Sequence, residues 1–304
     1  MFSFNKIEIH NEKINGFGHD HLYIKREDQI HPFVSGNKFR KLKYNVLQLQ
    51  KDGYKGMITF GGAFSNHIAA VAALGNELDF PTIGFIRGEE LEHQINNNPT
   101  LKFAQNHGMT FQFLTREKYH LKNDQDFLAS LKEEFPQYLI LPEGGTNELA
   151  VKGCEEILTS KDADFNIIAC CVGTGGTISG IINSALPNQK ILGFPALKED
   201  FLQKDISKFA IQNNWKLVRD YHFGGYGKVS NELVCFINHF YEQTNIPLDP
   251  IYMGKMAFGI VDLIQKKYFN QNDKILMIHS GGLQGIEGFN RFKKQNLEKI
   301  NIHV

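Results

Sequence analysis

The sequence predicts an α/β protein with two open, twisted, mostly parallel sheets flanked by helices, a small domain being inserted in a large one. From Met57 onward, short apolar runs of strand length alternate with longer amphipathic stretches of helix length; this order builds parallel sheets through crossover helices. The strand candidates are nearly continuously hydrophobic rather than alternating, as strands covered on both faces are. The length of 304 residues, 42% of them hydrophobic, allows one large core or two medium ones and favours about two domains.

In chain order, the apolar runs predict strands at Met57–Phe60, Thr82–Ile86, Thr110–Leu114, Tyr138–Leu141, Ile167–Val172, Lys190–Phe194 and Ile275–His279. Helical periodicity is strongest over Ile68–Leu78, Thr100–His107, Asp124–Glu134, Glu148–Leu158, Asn231–Tyr241 and Met256–Lys267. No repeat, low-complexity tract or flexible linker separates two units, so one must sit inside the other through short crossings. The expected division is a small α/β domain over 44–150, with 1–43 and 151–304 forming the large one.

Lys plus Arg and Asp plus Glu balance at 33 each. That leaves no basic footprint for nucleic acid and points to a small-molecule partner. Met1–His10 alternates apolar and polar residues and lacks the charged and apolar regions of an export signal. No window approaches the roughly 18 apolar residues of a membrane span, so a soluble cytoplasmic protein is expected, without membrane or metal. Cys154, Cys170, Cys171 and Cys235 show no paired spacing and read as reduced core thiols. Trp215 and the phenylalanines also read as core, and His21, His31 and His93 have no ligand spacing.

Four segments place Gly, Ser, Thr or Asn at a strand end or loop that opens into a helix or tight turn, where unpaired backbone N–H groups and the helix dipole favour an anion. They are Ser35-Gly36-Asn37-Lys38, whose basic turn puts Lys38 and Lys41 on one face; Gly61–His67, with Ser65 and Asn66 at the capping position; Gly173-Thr174-Gly175-Gly176-Thr177; and His279-Ser280-Gly281-Gly282. The third lacks both the lysine of a Walker loop and the spacing of a dinucleotide site. Tyr226 and Tyr252 sit beside glycines in expected loops, where a phenol could carry a proton. Taken singly, each segment also has a plain structural reading: a solvated helix start, a cap or a turn.

Taken in order, Tyr23–Asp28, SGNKFRKLKY, GGAFSNH, Pro142–Asn147, GTGGT, DPIYMGK and HSGG resemble the family of 1-aminocyclopropane-1-carboxylate deaminases and D-cysteine desulfhydrases, fold type II pyridoxal-phosphate enzymes. The resemblance spans nearly the whole chain. It implies pyridoxal 5'-phosphate as cofactor, with Lys38 holding it as a Schiff base and Lys41 and Gly173, Thr174, Gly175, Gly176 and Thr177 holding its phosphate. Asn66 would bond the ring hydroxyl, Ser65, Asn66 and His67 would take the substrate, and Tyr226 and Tyr252 match active-site tyrosines. A homodimer is also implied. The neighbouring Lys41 and the helix dipole would lower the Lys38 pKa toward the neutral amine needed for attack.

Two departures bear on the reaction. Where the deaminases typically carry glutamate and leucine, this chain has Met253 and Ser280. Methionine cannot ion-pair a pyridinium, whereas a serine hydroxyl suits a neutral pyridine nitrogen. The reading is therefore β-elimination on a small amino acid such as D-cysteine, giving pyruvate, ammonia and sulfide. The alternatives are cyclopropane ring opening to 2-oxobutyrate and ammonia, and a catalytically idle cofactor- or metabolite-binding protein.

Overall fold

The computed structural model describes residues 3–4, 8–198 and 201–302; part of the Met1–His10 segment lies outside them. Its elements in chain order are β1 (Asn11–Lys13), β2 (Leu22–Lys25), α1 (Asn37–Asp52), β3 (Gly56–Gly61), α2 (Asn66–Leu78), β4 (Thr82–Arg87), α3 (Pro99–Asn106), β5 (Met109–Leu114), α4 (Arg116–His120), α5 (Gln125–Glu134), β6 (Tyr138–Ile140) and α6 (Glu148–Cys154). There follow β7 (Ile167–Val172), α7 (Gly176–Ser184), β8 (Lys190–Pro195), α8 (Leu202–Ser207), β9 (Trp215–Leu217), α9 (Asn231–Thr244), α10 (Met253–Gln265), β10 (Ile275–Ile278) and α11 (Gly285–Phe292). Short 3-10 turns link several of them.

These strands form two mostly parallel sheets. One has the order β1-β2-β10-β7-β8-β9, with only the β1–β2 pair antiparallel; the other has the order β5-β4-β3-β6 and is parallel throughout. The continuous apolar runs have a direct physical cause. Along β7, Ile167, Ala169 and Cys171 join the core shared with α9 and α10, while Ile168, Cys170 and Val172 join the core under α7. In β3, Met57 packs with α1 and α2 whereas Ile58 and Phe60 face Tyr119 and Leu131. Both faces are dry, so apolar side chains predominate, and the buried Thr59 of β3 is kept by a partner, His67 Nε2 at 2.8 Å from its hydroxyl.

The expected division at 43/44 and 150/151 falls inside α1 and α6. These helices pack closely, a Cβ at Gly153 falling 1.9 Å from Arg40 O. α1 carries Phe39, Leu42, Val46 and Leu49 into the core of the four-stranded sheet.

Several sequence expectations are corrected. α10 begins at Met253 rather than Met256, because the Asp249 carboxylate accepts the N–H groups of Ile251, Tyr252 and Met253 at 2.8–3.0 Å and caps the helix early. Tyr252 is consequently a helix-capping residue and not a loop residue. α6 stops at Cys154, short of Leu158, whereas α9 continues to Thr244, where Asn245 adopts the left-handed conformation. Cys235 is exposed rather than a core thiol. Trp215 is only half-buried, and Phe33, Phe64, Phe201 and Phe292 are exposed. Among the described residues, no helix is long and apolar enough to cross a membrane, and no group of three or more His, Cys, Asp or Glu side chains is placed to hold a metal.

Candidate active site

The carboxyl ends of β3, β7 and β10 converge on the first turn of α1, as expected where strand ends meet at the crevice of an α/β sheet. Asn37, the first residue of α1, ties this point together. Its N–H donates to Ser280 O at 3.1 Å and its Nδ2 donates to Thr177 Oγ1 at 2.8 Å. Lys38 and Lys41 follow on the same helical face. Lys38 is half-buried, and its Nζ donates to Asn37 Oδ1 at 3.1 Å.

Lys41 is buried and surrounded by neutral acceptors. Its Nζ donates to Gly144 O and Thr146 Oγ1, both at 2.8 Å, and lies 3.4 Å from Thr174 Oγ1. Among the described residues, no carboxylate pairs with it. Burial, with the charge of Lys38 adding to it, brings its pKa down to about 7. The Lys38 pKa is lowered as well, but the expected cause is corrected. Burial lowers it, against an opposing pull from Cys171, Cys154 and Asp249; Lys41 is not among its causes.

The β3–α2 segment contributes three consecutive side chains. Ser65 caps α2, its Oγ accepting Ile68 N–H at 3.3 Å. Asn66 faces Gly282, where a Cβ would come within 2.6 Å of Asn66 Nδ2, and its Oδ1 is buried without a partner. His67 Nε2 lies 2.8 Å from Thr59 Oγ1, while its Nδ1 is buried and unpartnered. Burial and the two lysine charges push the His67 pKa well below its ordinary value, so the ring is neutral. An unpartnered buried polar atom is costly, about 1–3 kcal/mol, and two on adjacent residues beside a pair of lysines mark a place built to receive a polar ligand.

The opposite wall is formed by α10 and the loop before α9. Tyr252 stands beside Gly173, where a Cβ would lie 3.3 Å from its ring and 3.4 Å from its hydroxyl. Burial and the nearby Tyr226 push the Tyr252 pKa well above the usual phenol range, which keeps it a proton donor. Tyr226 is in a loop, as expected, and 47% exposed; the two rings meet edge-on with centroids 6.1 Å apart. At the floor, Ser280 Oγ lies 3.0 Å from Cys171 Sγ and 3.8 Å from Met253 Sδ, and Ser280 N–H donates to that thioether at 3.4 Å. Among the described residues, no carboxylate bonds Ser280.

Contacts therefore join Lys38, Lys41, Asn66, Thr174, Thr177, Tyr226, Tyr252 and Ser280 in one cluster, with Ser65 and His67 flanking Asn66 and the glycines 173, 175 and 176 forming the backbone wall. A Cβ at Gly175 would point out of this wall, 3.0 Å from Ile206 Cγ1. Sequence reasoning gave no role to Asn37, to Thr146 with its carbonyl neighbour Gly144, to Cys171 or to Asp249. For Asp249 a signal was present: Asp-Pro shortly before a helical pattern is a start signature.

Comparison with known proteins adds an independent line. A family model described as pyridoxal-phosphate dependent enzyme matches residues 9–281. The bifunctional D-cysteine desulfhydrase/1-aminocyclopropane-1-carboxylate deaminase, mitochondrial, of Arabidopsis thaliana is 28% identical over 87% of this chain and 73% of its own length. The D-cysteine desulfhydrase of Serratia proteamaculans is 26% identical, over 86% of each chain. A solved structure described as an ACC deaminase homologue superposes with a TM-score of 0.80 at 24% identity, covering 93% of this chain and 92% of that one, and so shares its fold.

Proposed function

Because the chain belongs to the family of pyridoxal-phosphate dependent enzymes, we propose that it eliminates a β-substituent from a small amino acid such as D-cysteine. With water, D-cysteine would give pyruvate, ammonia and sulfide. The observation that carries the choice of reaction is the floor of the site, where Ser280 meets Met253 and Cys171 and, among the described residues, bonds no carboxylate. Two acids near this floor are engaged elsewhere, Asp249 by the backbone at the start of α10 and Asp28 by Arg26 at 2.8 Å.

The residues fit the cofactor. Lys41, a buried cation without a counter-charge, beside the first N–H groups of α7, suits a phosphate, with Thr174 and Thr177 as hydroxyl partners. The unpartnered Asn66 Oδ1 belongs to an amide free to turn its nitrogen or oxygen toward the cofactor's ring hydroxyl. When bound, pyridoxal phosphate supplies an electron sink for the bond-breaking steps. Lys38, shifted by burial toward its neutral form, would hold it and would take the α-proton at Nζ. Ser65, Asn66 and His67 receive the substrate carboxylate at the start of α2, and the phenols of Tyr226 and Tyr252 orient the substrate and donate protons. Ser280 offers its hydroxyl to the ring nitrogen.

A second reading, cyclopropane ring opening to 2-oxobutyrate, is favoured by the name of the bifunctional Arabidopsis relative. Assaying D- and L-cysteine, β-chloroalanine, serine and 1-aminocyclopropane-1-carboxylate separates the two. Pyruvate with sulfide from D-cysteine is expected; 2-oxobutyrate from the cyclopropane as the sole product would sink the elimination reading. A protein that acquires no cofactor absorption on reconstitution would sink both. We further propose a cytoplasmic homodimer, with 44–150 and the remainder as its two domains, and sedimentation would check the oligomeric state.

The Lys41 pKa of about 7 gives a ligand-binding prediction. An anion at this site binds the ammonium form, so affinity is full below about 7 and falls as pH rises through it. Sulfate, whose charge is constant above neutral pH, should bind the cofactor-free protein up to about tenfold more weakly per pH unit on the alkaline side. Lys41→Met should flatten that profile and weaken cofactor binding by about 2 kcal/mol, both measurable by titration calorimetry.

A further inference from the structure

We infer that Lys255 is the positioning residue for Tyr226, its ammonium clasping the backbone of the loop that carries the phenol. The inference rests on the reading of Tyr226 as an active-site residue. Lys255 lies in the first turn of α10, three residues beyond Tyr252, and is 2% exposed. Its Nζ donates to His222 O at 3.0 Å and to Gly225 O at 2.9 Å. Among the described residues, it forms no ion pair, and burial brings its pKa down to about 8. Burying an ammonium costs free energy, which its two carbonyl hydrogen bonds offset in part, so the side chain and the loop backbone are energetically tied to each other.

Beside the clasp, Gly224 N–H donates to His222 Nδ1 at 2.9 Å and the Phe223 ring meets Phe258 edge-on at 5.1 Å, both ahead of Tyr226 in the loop. Phe223, Gly224, Gly225 and Gly227 all have positive φ, at 53°, 93°, 117° and 69°; a glycine run of this kind has many other conformations open to it. Tyr226 is 47% exposed and gains correspondingly little from packing. Each carbonyl that Lys255 holds also accepts a backbone N–H, from Gly225 at 3.0 Å and from Lys228 at 3.1 Å, so the ammonium pins both rungs of the turn. Tyr226 is the next residue after Gly225. Asp249 fixes Tyr252 through the start of α10 and Lys255 fixes Tyr226 from the same turn, which lets one helix terminus set the spacing of both phenols.

The test uses the cofactor-loaded enzyme. Lys255→Met keeps the stem length and removes the donors. Hydrogen exchange of the 222–228 segment should become about tenfold faster, with the rest of the chain and the cofactor absorption unchanged. With D-cysteine, kcat should fall by about tenfold or more while KM moves little. In a Tyr226→Phe background, the same substitution should lower kcat by less than about twofold, because the two residues act as a unit. Unchanged exchange in the loop, or losses that multiply in full, would overturn the proposal. A fully active Tyr226→Phe enzyme would instead remove the role of Tyr226, and loop exchange would still judge the clasp. If Lys255→Met does not fold, Lys255→Gln, which reaches one carbonyl at most, should show the same acceleration at smaller amplitude; wild-type exchange there would also overturn it.

Discussion

Lys38→Ala is expected to lower kcat by ~10³-fold or more and to abolish the visible absorption of covalently attached cofactor. Among the described residues, the side chain has one hydrogen-bond partner, Asn37 Oδ1 at 3.1 Å, and burial lowers its pKa. Of the two lysines in the cluster, it is the less restrained. Lys41, the nearest competitor, is held by Gly144 O and Thr146 Oγ1 at 2.8 Å. The residues proposed to hold the phosphate do not include Lys38, so the variant should still gain thermal stability from added pyridoxal phosphate. Retention of the covalent absorption in Lys38→Ala, with its loss in Lys41→Met, would transfer the attachment to Lys41.

Gly36→Ala should destabilise the protein by roughly 2–5 kcal/mol, combining backbone strain with overpacking. Gly36 has φ 57° and ψ −133°, a region that L-residues avoid. A Cβ there would fall 2.1 Å from Ser280 O, the carbonyl that receives Asn37 N–H. Relief of the clash must move either the start of α1 or the loop after β10, and each carries a site residue. The denaturation midpoint should drop with unchanged slope, and cofactor affinity should fall with it. A midpoint at the wild-type value would show that the junction is looser than its geometry implies.

The long two-sided strands were legible in the sequence because dryness on both faces leaves a continuous apolar run, as in Ile167–Val172. The strands that went unread have the opposite character. β2 carries Tyr23 and Lys25, and Lys25 is buried only because Asp162 pairs with it at 2.6 Å, a partner 137 residues away. β1 and β9 are three-residue edges, too short for any period. At the site, the glycine-rich turns and Ser65 were legible because capping and anion binding are local chemistry. Lys41's neutral acceptors, the sulfur contacts of Ser280 and the clasp of Lys255 arise from packing between distant segments, which spacing does not encode. The fold, the enzyme class and the cofactor agree with the family found by comparison.

α1 is anchored in two places at once. Phe39, Leu42, Val46 and Leu49 seat it in the four-stranded sheet's core, while Asn37 hooks it to Thr177 of α7 and Ser280 after β10, on the six-stranded sheet's side. The lysines thus travel with one layer and the threonine cradle with the other. A phosphate gripped by both would act as a staple across the seam, converting ligand affinity into mechanical cohesion. Saturating cofactor at a hundredfold above its dissociation constant would then add about 2.7 kcal/mol to the joint unfolding of both layers, merging any separate melting steps into one.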